Sequence, residues 1–192
     1  MTDPVTRKWD VLCLGLPIME FVEIPAGLYR RMPGGDATRV AVSVARSGGQ
    51  AAIAGRLGAD GFGVAFRELW RAENVDDASV TIDHAAPTAH GFRQLSEQGG
   101  VVWPTDPAVA GALIRPGDLA PGLIGAARIL HVSGLGCVIS VGLLAIACDA
   151  AQEAARLGTR VSLDLRLPEV ARGAGAGRAV SLLAQSDVVT TD

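Results

Sequence analysis

Lysine and asparagine are almost absent from this 192-residue chain: Lys8 and Asn74 stand alone, against sixteen arginines. The arginines are spread from Arg7 to Arg178 without forming a patch, and the net charge is −3, so nothing resembles a nucleic-acid footprint. Aromatic residues make up only 4% of the chain, with one Tyr, four Phe and three Trp, so a core has to be assembled from Val, Leu, Ile and Ala. That palette suits a parallel sheet buried under helices. No apolar run approaches the ~18 residues of a membrane span, and no basic leader precedes a hydrophobic stretch. The three cysteines, Cys13, Cys137 and Cys148, lie in apolar runs without metal-ligand spacing. They read as small buried hydrophobes of a reducing compartment, which makes the cytoplasm the expected location.

Other absences remove whole chemistries. No Gly-Lys-Ser or Gly-Lys-Thr occurs, so there is no Walker phosphate loop. Gly134-Leu135-Gly136 would open a dinucleotide fingerprint, but Ile139 occupies the third glycine position, which leaves an NAD(P)-binding domain as a weak alternative. Ser133 lacks the glycine two residues before it that a nucleophile elbow requires, because His131 stands there. His84, His90 and His131 show no metal-ligand spacing, and His131, inside an apolar strand, reads as a hydrogen-bonded core residue.

Hydrophobic residues make up 49% of the chain, and they are arranged as strand followed by helix. Residues 9–16 read as a buried first strand and 37–47 as a helix stopped by Gly48-Gly49; 51–54 read as a second strand and 63–74 as a second helix. Residues 128–133, 159–165 and 187–190 continue the strand series, with Ser140 capping a helix that runs to Leu157 and Gly158 stopping it. Segments 21–32 and 90–103 break the pattern and read as edge strands, the second a hairpin turning through residues 97–100. Right-handed crossovers then give an α/β/α sandwich with all strand carboxyl ends on one side. Residues 172–178 (RGAGAGR) read as a loop.

Two glycine-rich segments carry the most specific information: Pro33-Gly34-Gly35-Asp36-Ala37-Thr38-Arg39-Val40-Ala41, then Gly55-Arg56-Leu57-Gly58-Ala59-Asp60-Gly61-Phe62-Gly63. A glycine pair entering a helix turns free N–H groups and the positive end of the helix dipole toward a polar ligand. In this order, and with Leu130-His131-Val132-Ser133-Gly134 and Val161-Ser162-Leu163-Asp164 further on, the chain resembles the ribokinase-like (PfkB-type) carbohydrate kinases. In detail it is most similar to the 2-keto-3-deoxygluconate and related sugar kinases. The resemblance implies a three-layer α/β/α fold with a mainly parallel sheet and a small β-lid, here from segments near 17–33 and 88–104. It also implies a sugar held between the strand ends and the lid, ATP and Mg²⁺ as cofactors, and a small-molecule sugar or sugar acid as partner.

Carried over residue by residue, the resemblance places Glu20 where the family has a sugar-binding Asp, and Gly34 and Gly35 beneath the sugar. Arg39 stands at one family Asn position and Arg166 at another, Pro168 replaces a motif Arg, and Asp192 falls where Asn-x-x-Glu begins. Guanidinium donates hydrogen bonds but cannot accept them, so Arg39 and Arg166 imply either an anionic substrate or a decayed site. Asp60, Gly61 and Gly63 match a family turn whose role is structural. Family members run to about 300 residues, and the Gly-Ala-Gly-Asp segment that supplies the catalytic base lies in their carboxyl-terminal part; Gly173-Ala174-Gly175-Ala176 is only an echo of it. Residues 1–192 are therefore expected to be the amino-terminal part of a sugar kinase domain, inactive alone and with no catalytic residue of its own. A non-catalytic sugar-binding remnant, or an oligomerising protein of the same fold, is the alternative. An open edge at 187–190 and uncovered Leu143, Leu144 and Ala147 are expected to drive homo-oligomerisation.

Overall fold

The computed structural model describes residues 7–94, 102–104, 108–165 and 176–191. Two sheets divide the work. The larger is a six-stranded parallel sheet of β1 (Trp9–Leu14), β4 (Ala51–Gly58), β5 (Asp76–Asp83), β8 (Ala127–Ser133), β9 (Arg160–Asp164) and β10 (Val188–Thr190), in the order β10-β9-β8-β1-β4-β5. The smaller is the lid, formed by β2 (Ile18–Ile24), β3 (Leu28–Gly34), β6 (Ala89–Arg93) and β7 (Val102–Pro104), in the order β3-β2-β6-β7. In it β2 pairs antiparallel with β3 and parallel with β6, and β6 with β7 is the expected hairpin. The turn assigned to residues 97–100 lies outside the described residues.

Helices α1 (Asp36–Arg46) and α2 (Gly61–Ala72) cover one face of the large sheet. The short α3 (Gly134–Ile139), the long α4 (Val141–Leu157) and α5 (Ala176–Ala184) cover the other. The ends of these helices follow from local chemistry. Asp60 caps α2 by accepting the Phe62 and Gly63 N–H groups at 3.0 and 2.8 Å, and Asn74, at φ 58°, turns the chain out of its last turn. Ser140 caps α4 by accepting the Leu143 N–H at 3.0 Å, and Gly158 ends it in the left-handed region.

Several boundaries differ from the sequence reading. The second strand does not stop at Ala54 but continues to Gly58, because Gly55 and Arg56 remain fully inside the sheet, and α2 begins at Gly61 behind its Asp60 cap. β5 was not anticipated: as an edge strand it carries a mixed sequence, DDASVTID, that hides among loop-like residues. The expected exposure of Leu143, Leu144 and Ala147 is also corrected, since all three are buried in the α3/α4 core. The edge at β10 is open as expected, with Val188 and Val189 exposed. No helix among the described residues is long and apolar enough to cross a membrane.

The apolar core lies on both sides of the large sheet, but unequally. Beneath α3, α4 and α5 it runs from Leu12 and Ala54 through Leu130 and Val132 to Val161 and Leu163. Beneath α1 and α2 it gathers Cys13, Ile53, Phe66 and Trp70, and takes no residue from β8, β9 or β10 among those described. Phe66 and Trp70, one helical turn apart and fully buried, anchor α2; truncation of such a residue to Ala costs about 3–5 kcal/mol. The lid is fastened to α2 by aromatic contacts: Phe62 meets Phe21 edge-on at 5.8 Å, and Phe21 stacks on Phe92 at 5.1 Å.

A charged knot closes the carboxyl ends of β4 and β5. Arg56 reaches both oxygens of Asp118 through Nη1 at 3.1 and 2.9 Å and Asp83 through Nη2 at 2.8 Å. Asp83 also accepts the N–H groups of Ala85 and Ala86. Those two backbone donors, opposed by burial and aided by Arg56, lower its pKa to about 2.

Candidate functional site

The strands of the large sheet end together where the lid begins. β1 ends at Leu14, three residues cross over, and β2 starts the lid at Ile18; β3 returns from the lid directly into Gly35 and α1. The crevice outside the carboxyl ends of strands is where open α/β sheets bind ligands. Four of the five residues assigned from sequence fall in the described part, and they gather here.

Glu20 lies on β2 and is only 3% exposed. Its Oε1 accepts the Gly35 N–H at 3.2 Å and a short hydrogen bond from Arg39 Nη2. Arg93 Nη1, on β6, stands 4.0 Å from its Oε2. Gly35 has φ 84°, and a Cβ there would come within 2.6 Å of the Leu16 carbonyl oxygen. At Gly34 a Cβ would run into the Glu20 carboxylate itself. Both glycines are thus required by close approach: the first lets the chain turn under β1, the second leaves space for the acid.

Arg39 is the fourth residue of α1 and spans two carboxylates. Nη2 binds Glu20, and Nη1 stands 3.5 Å from Asp36 Oδ1 in an i,i+3 pair. Its side chain remains 48% exposed, while those of Glu20 and Asp36 are 4% and 6% exposed. Asp36 also accepts from Ser133 Oγ at 3.3 Å, and Ser133 in turn accepts the Gly136 N–H at 3.2 Å, which links α1 to the end of β8. Two carboxylates and two guanidiniums therefore face one another. The charge of Arg39 is thus met within the protein by Glu20 and Asp36. Arg166 and Pro168 lie outside the described residues; Asp164, just before them, ends β9 with Thr190 Oγ1 at 3.5 Å.

Asp60 keeps its structural character. Besides capping α2 it accepts the Thr88 N–H at 2.7 Å and the Thr88 hydroxyl at 2.8 Å, tying the start of α2 to the entry of β6. Burial pushes its pKa up, but the four hydrogen bonds together outweigh that and hold it below the usual carboxylate range. Sequence reasoning missed Arg93. The only signal was its place in a lid segment, and its approach to Glu20 depends on the parallel β2/β6 register that pairs Val22 with Arg93.

Among the described residues no group of three His, Cys, Asp or Glu side chains gathers to hold a metal ion.

Residues 10–191 match the model of the pfkB family of carbohydrate kinases. The chain is similar to fructokinase-1 of Oryza sativa subsp. japonica, 32% identical over 179 residues that cover 88% of this chain and 50% of the relative. Among solved structures, the ATP-bound fructokinase of Xylella fastidiosa superposes with a TM-score of 0.84 at 24% identity, over 94% of this chain and 60% of that one. A PfkB protein of Polaromonas sp. JS666 superposes at 0.85 with 25% identity, over 95% and 65%. The chain spans about half the length of the curated relatives it matches. The relatives are fructokinases rather than 2-keto-3-deoxygluconate kinases, which coarsens the resemblance drawn from the motifs to the family as a whole. With a parallel sheet, a four-stranded lid and a glycine pair at the strand ends, the chain belongs to the pfkB family of carbohydrate kinases.

Proposed function

We propose that residues 1–192 form the sugar-binding portion of an ATP-dependent kinase that phosphorylates a hydroxyl of a neutral sugar, with fructose the first candidate. The observation that carries this reading is the cluster of Glu20, Gly35 and Arg39 at the base of the lid. Glu20 Oε1 is occupied by Gly35 and Arg39, which leaves Oε2 as the oxygen that accepts a sugar hydroxyl. Arg39, half-exposed, donates from the other side. Because Glu20 and Asp36 balance Arg39 and Arg93, the crevice has no surplus positive charge among the described residues, which supports a polyol over a sugar acid. A 2-keto-3-deoxygluconate-type acid is the second reading, and it rests on Arg166.

Phosphoryl transfer needs a positioned nucleophile and stabilisation of the transferred charge. The resemblance assigns both tasks to a Gly-Ala-Gly-Asp segment that does not occur in the 192 residues. General-base help contributes ~10²–10⁴-fold and each preorganised oxyanion donor ~10²–10³-fold, so these residues alone are expected to bind sugar without turning it over. Calorimetric titration with fructose and with gluconate, at low and high salt, tests the binding: fructose should bind with little salt dependence. A salt-sensitive preference for gluconate would transfer the reading to sugar acids. In a coupled ADP-release assay with ATP and Mg²⁺, sugar-dependent turnover near ~1 s⁻¹ would sink the claim of inactivity.

A further inference from the structure

The lid has two faces, and only one of them belongs to the sugar crevice. Successive residues of a strand point to opposite sides, so Glu20 faces the crevice while Met19 and Phe21 face α2 and join its apolar cluster. The register sets Arg31 opposite Phe21 and His90 opposite Met19, which places both on that outer face. There a cavity of about 250 Å³ opens between the lid and the start of α2, lined by Arg31, Asp60, Phe62, Pro87, Thr88 and His90. It shares no residue with the Glu20–Arg39 cluster.

Most of the cavity wall is apolar, and its polar groups are unequally committed. Asp60 already accepts from the Phe62, Gly63 and Thr88 N–H groups and from the Thr88 hydroxyl, which itself accepts the Gly58 N–H at 2.9 Å. Phe62 and His90 form an aromatic corner, with ring centres 5.9 Å apart and planes inclined at 52°. Arg31 is different. Its Cζ stands 6.0 Å from the Phe62 ring centre, at the outer limit of a cation–π contact, and it makes no ion pair or side-chain hydrogen bond among the described residues. A guanidinium carries five N–H donors and no acceptor, so the group it calls for is an anion.

Size and chemistry together select the occupant. A dry cavity of about 150 Å³ already admits benzene, and drug-sized ligands take roughly 300 Å³ or more, so this space suits one ring with one small substituent. We propose that the outer pocket binds a monocyclic aromatic carboxylate, its ring against Phe62 and His90 and its carboxylate paired with Arg31. Aromatic rings associate at centroid distances of about 4.5–7 Å, and arginine meets a carboxylate through two parallel N–H···O bonds. Asp60, kept ionised by its four donors, repels an anion from the α2 end and so turns the carboxylate toward Arg31. The ligand touches the lid through Arg31 and His90 and the body through Phe62, and therefore bridges the two.

The test uses three probes of one shape, benzoate, benzyl alcohol and benzylammonium, titrated into the chain and followed by NMR. Benzoate should saturate, bind about tenfold more tightly than benzylammonium or better, and move the His90 and Phe62 ring resonances. Arg31→Gln should weaken benzoate about tenfold, to the level of benzyl alcohol; Arg31 is exposed, so that variant folds normally. A Cβ at Gly61, also on the cavity wall, meets no atom within 4 Å, so Gly61→Leu narrows the space without a backbone clash and should weaken benzoate and benzyl alcohol alike. Benzoate shifts that never saturate, benzylammonium binding as tightly as benzoate, or a benzoate affinity unchanged by Arg31→Gln would each overturn the proposal. So would shifts centred on the Gly35 N–H, because the acid would then occupy the sugar crevice instead.

Discussion

Arg56 and Arg39 do the same arithmetic in different solvents. Each guanidinium spans two carboxylates, Asp83 and Asp118 for Arg56, Glu20 and Asp36 for Arg39. Arg56 is 10% exposed at its side chain and Arg39 is 48% exposed. A buried knot holds the ends of β4 and β5 against the turn at residues 116–118, while a half-open one joins α1 to the base of the lid. The sign and number of charges are the same in both; what differs is how far water reaches the guanidinium.

The comparison is broken most sharply at its buried end. Arg56→Met should destabilise the chain by about 3–5 kcal/mol, because two acids at the sheet edge lose their common partner; urea denaturation followed by circular dichroism gives the value. The acid side of the same knot sharpens the point. With a folded pKa near 2, below the ordinary carboxylate value, Asp83 contributes stability that is complete above about pH 4 and is lost as pH falls toward 2. Since the Ala85 and Ala86 N–H groups lead that shift and Arg56 follows, the Arg56→Met variant should keep most of the Asp83 depression in an NMR titration. A return of Asp83 to the ordinary value would make Arg56 the controlling partner.

Gly35→Ala should come next. The backbone at φ 84°, ψ 148° lies in a region essentially reserved for glycine and costs about 1–3 kcal/mol in a residue with a Cβ, and contact with the Leu16 carbonyl adds to it. Thermal unfolding should register the loss, and sugar binding should fall with it because Glu20 loses an aligned donor. The open end of the comparison gives the smallest change in stability. Arg39→Ala should cost less than Arg56→Met, because water reaches the half-exposed guanidinium and the Gly35 N–H and Arg93 remain beside Glu20, while weakening fructose binding about tenfold, the worth of one charge-assisted hydrogen bond. If stability fell as far as in Arg56→Met, Arg39 would be structural and the proposed sugar site would lose its donor.

The sheet was legible because its strands are short apolar runs closed by Gly or Pro, as Trp9 to Leu16 shows. The helix ends were legible because Ser140 and Gly158 carry their capping chemistry in their own side chains or lack of one. β5 escaped because an edge strand needs apolar residues on only part of one face, and DDASVTID has few. In the candidate site, Glu20, Gly34, Gly35 and Arg39 could be named from motif order. That Arg39 is already engaged could not, since Asp36 gains meaning only once α1 sets it one turn away and Glu20 only once β2 folds over it. Arg93 has no local signature at all, because its position depends on a parallel register between segments seventy residues apart in sequence.

The base of the lid hairpin is the pair Ile18 and Gly34. One strand of that pair is joined to β1 by Gly15, Leu16 and Pro17, and the other to α1 by Gly35 alone. Any tilting of the β2/β3 hairpin must therefore be taken up in these few residues, one of which also presents the N–H that Glu20 accepts at the crevice floor. Hinge and floor are one piece of chain: the angle of the cover and the alignment of the Gly35 donor form a single mechanical coordinate, and a change in one is read directly in the other.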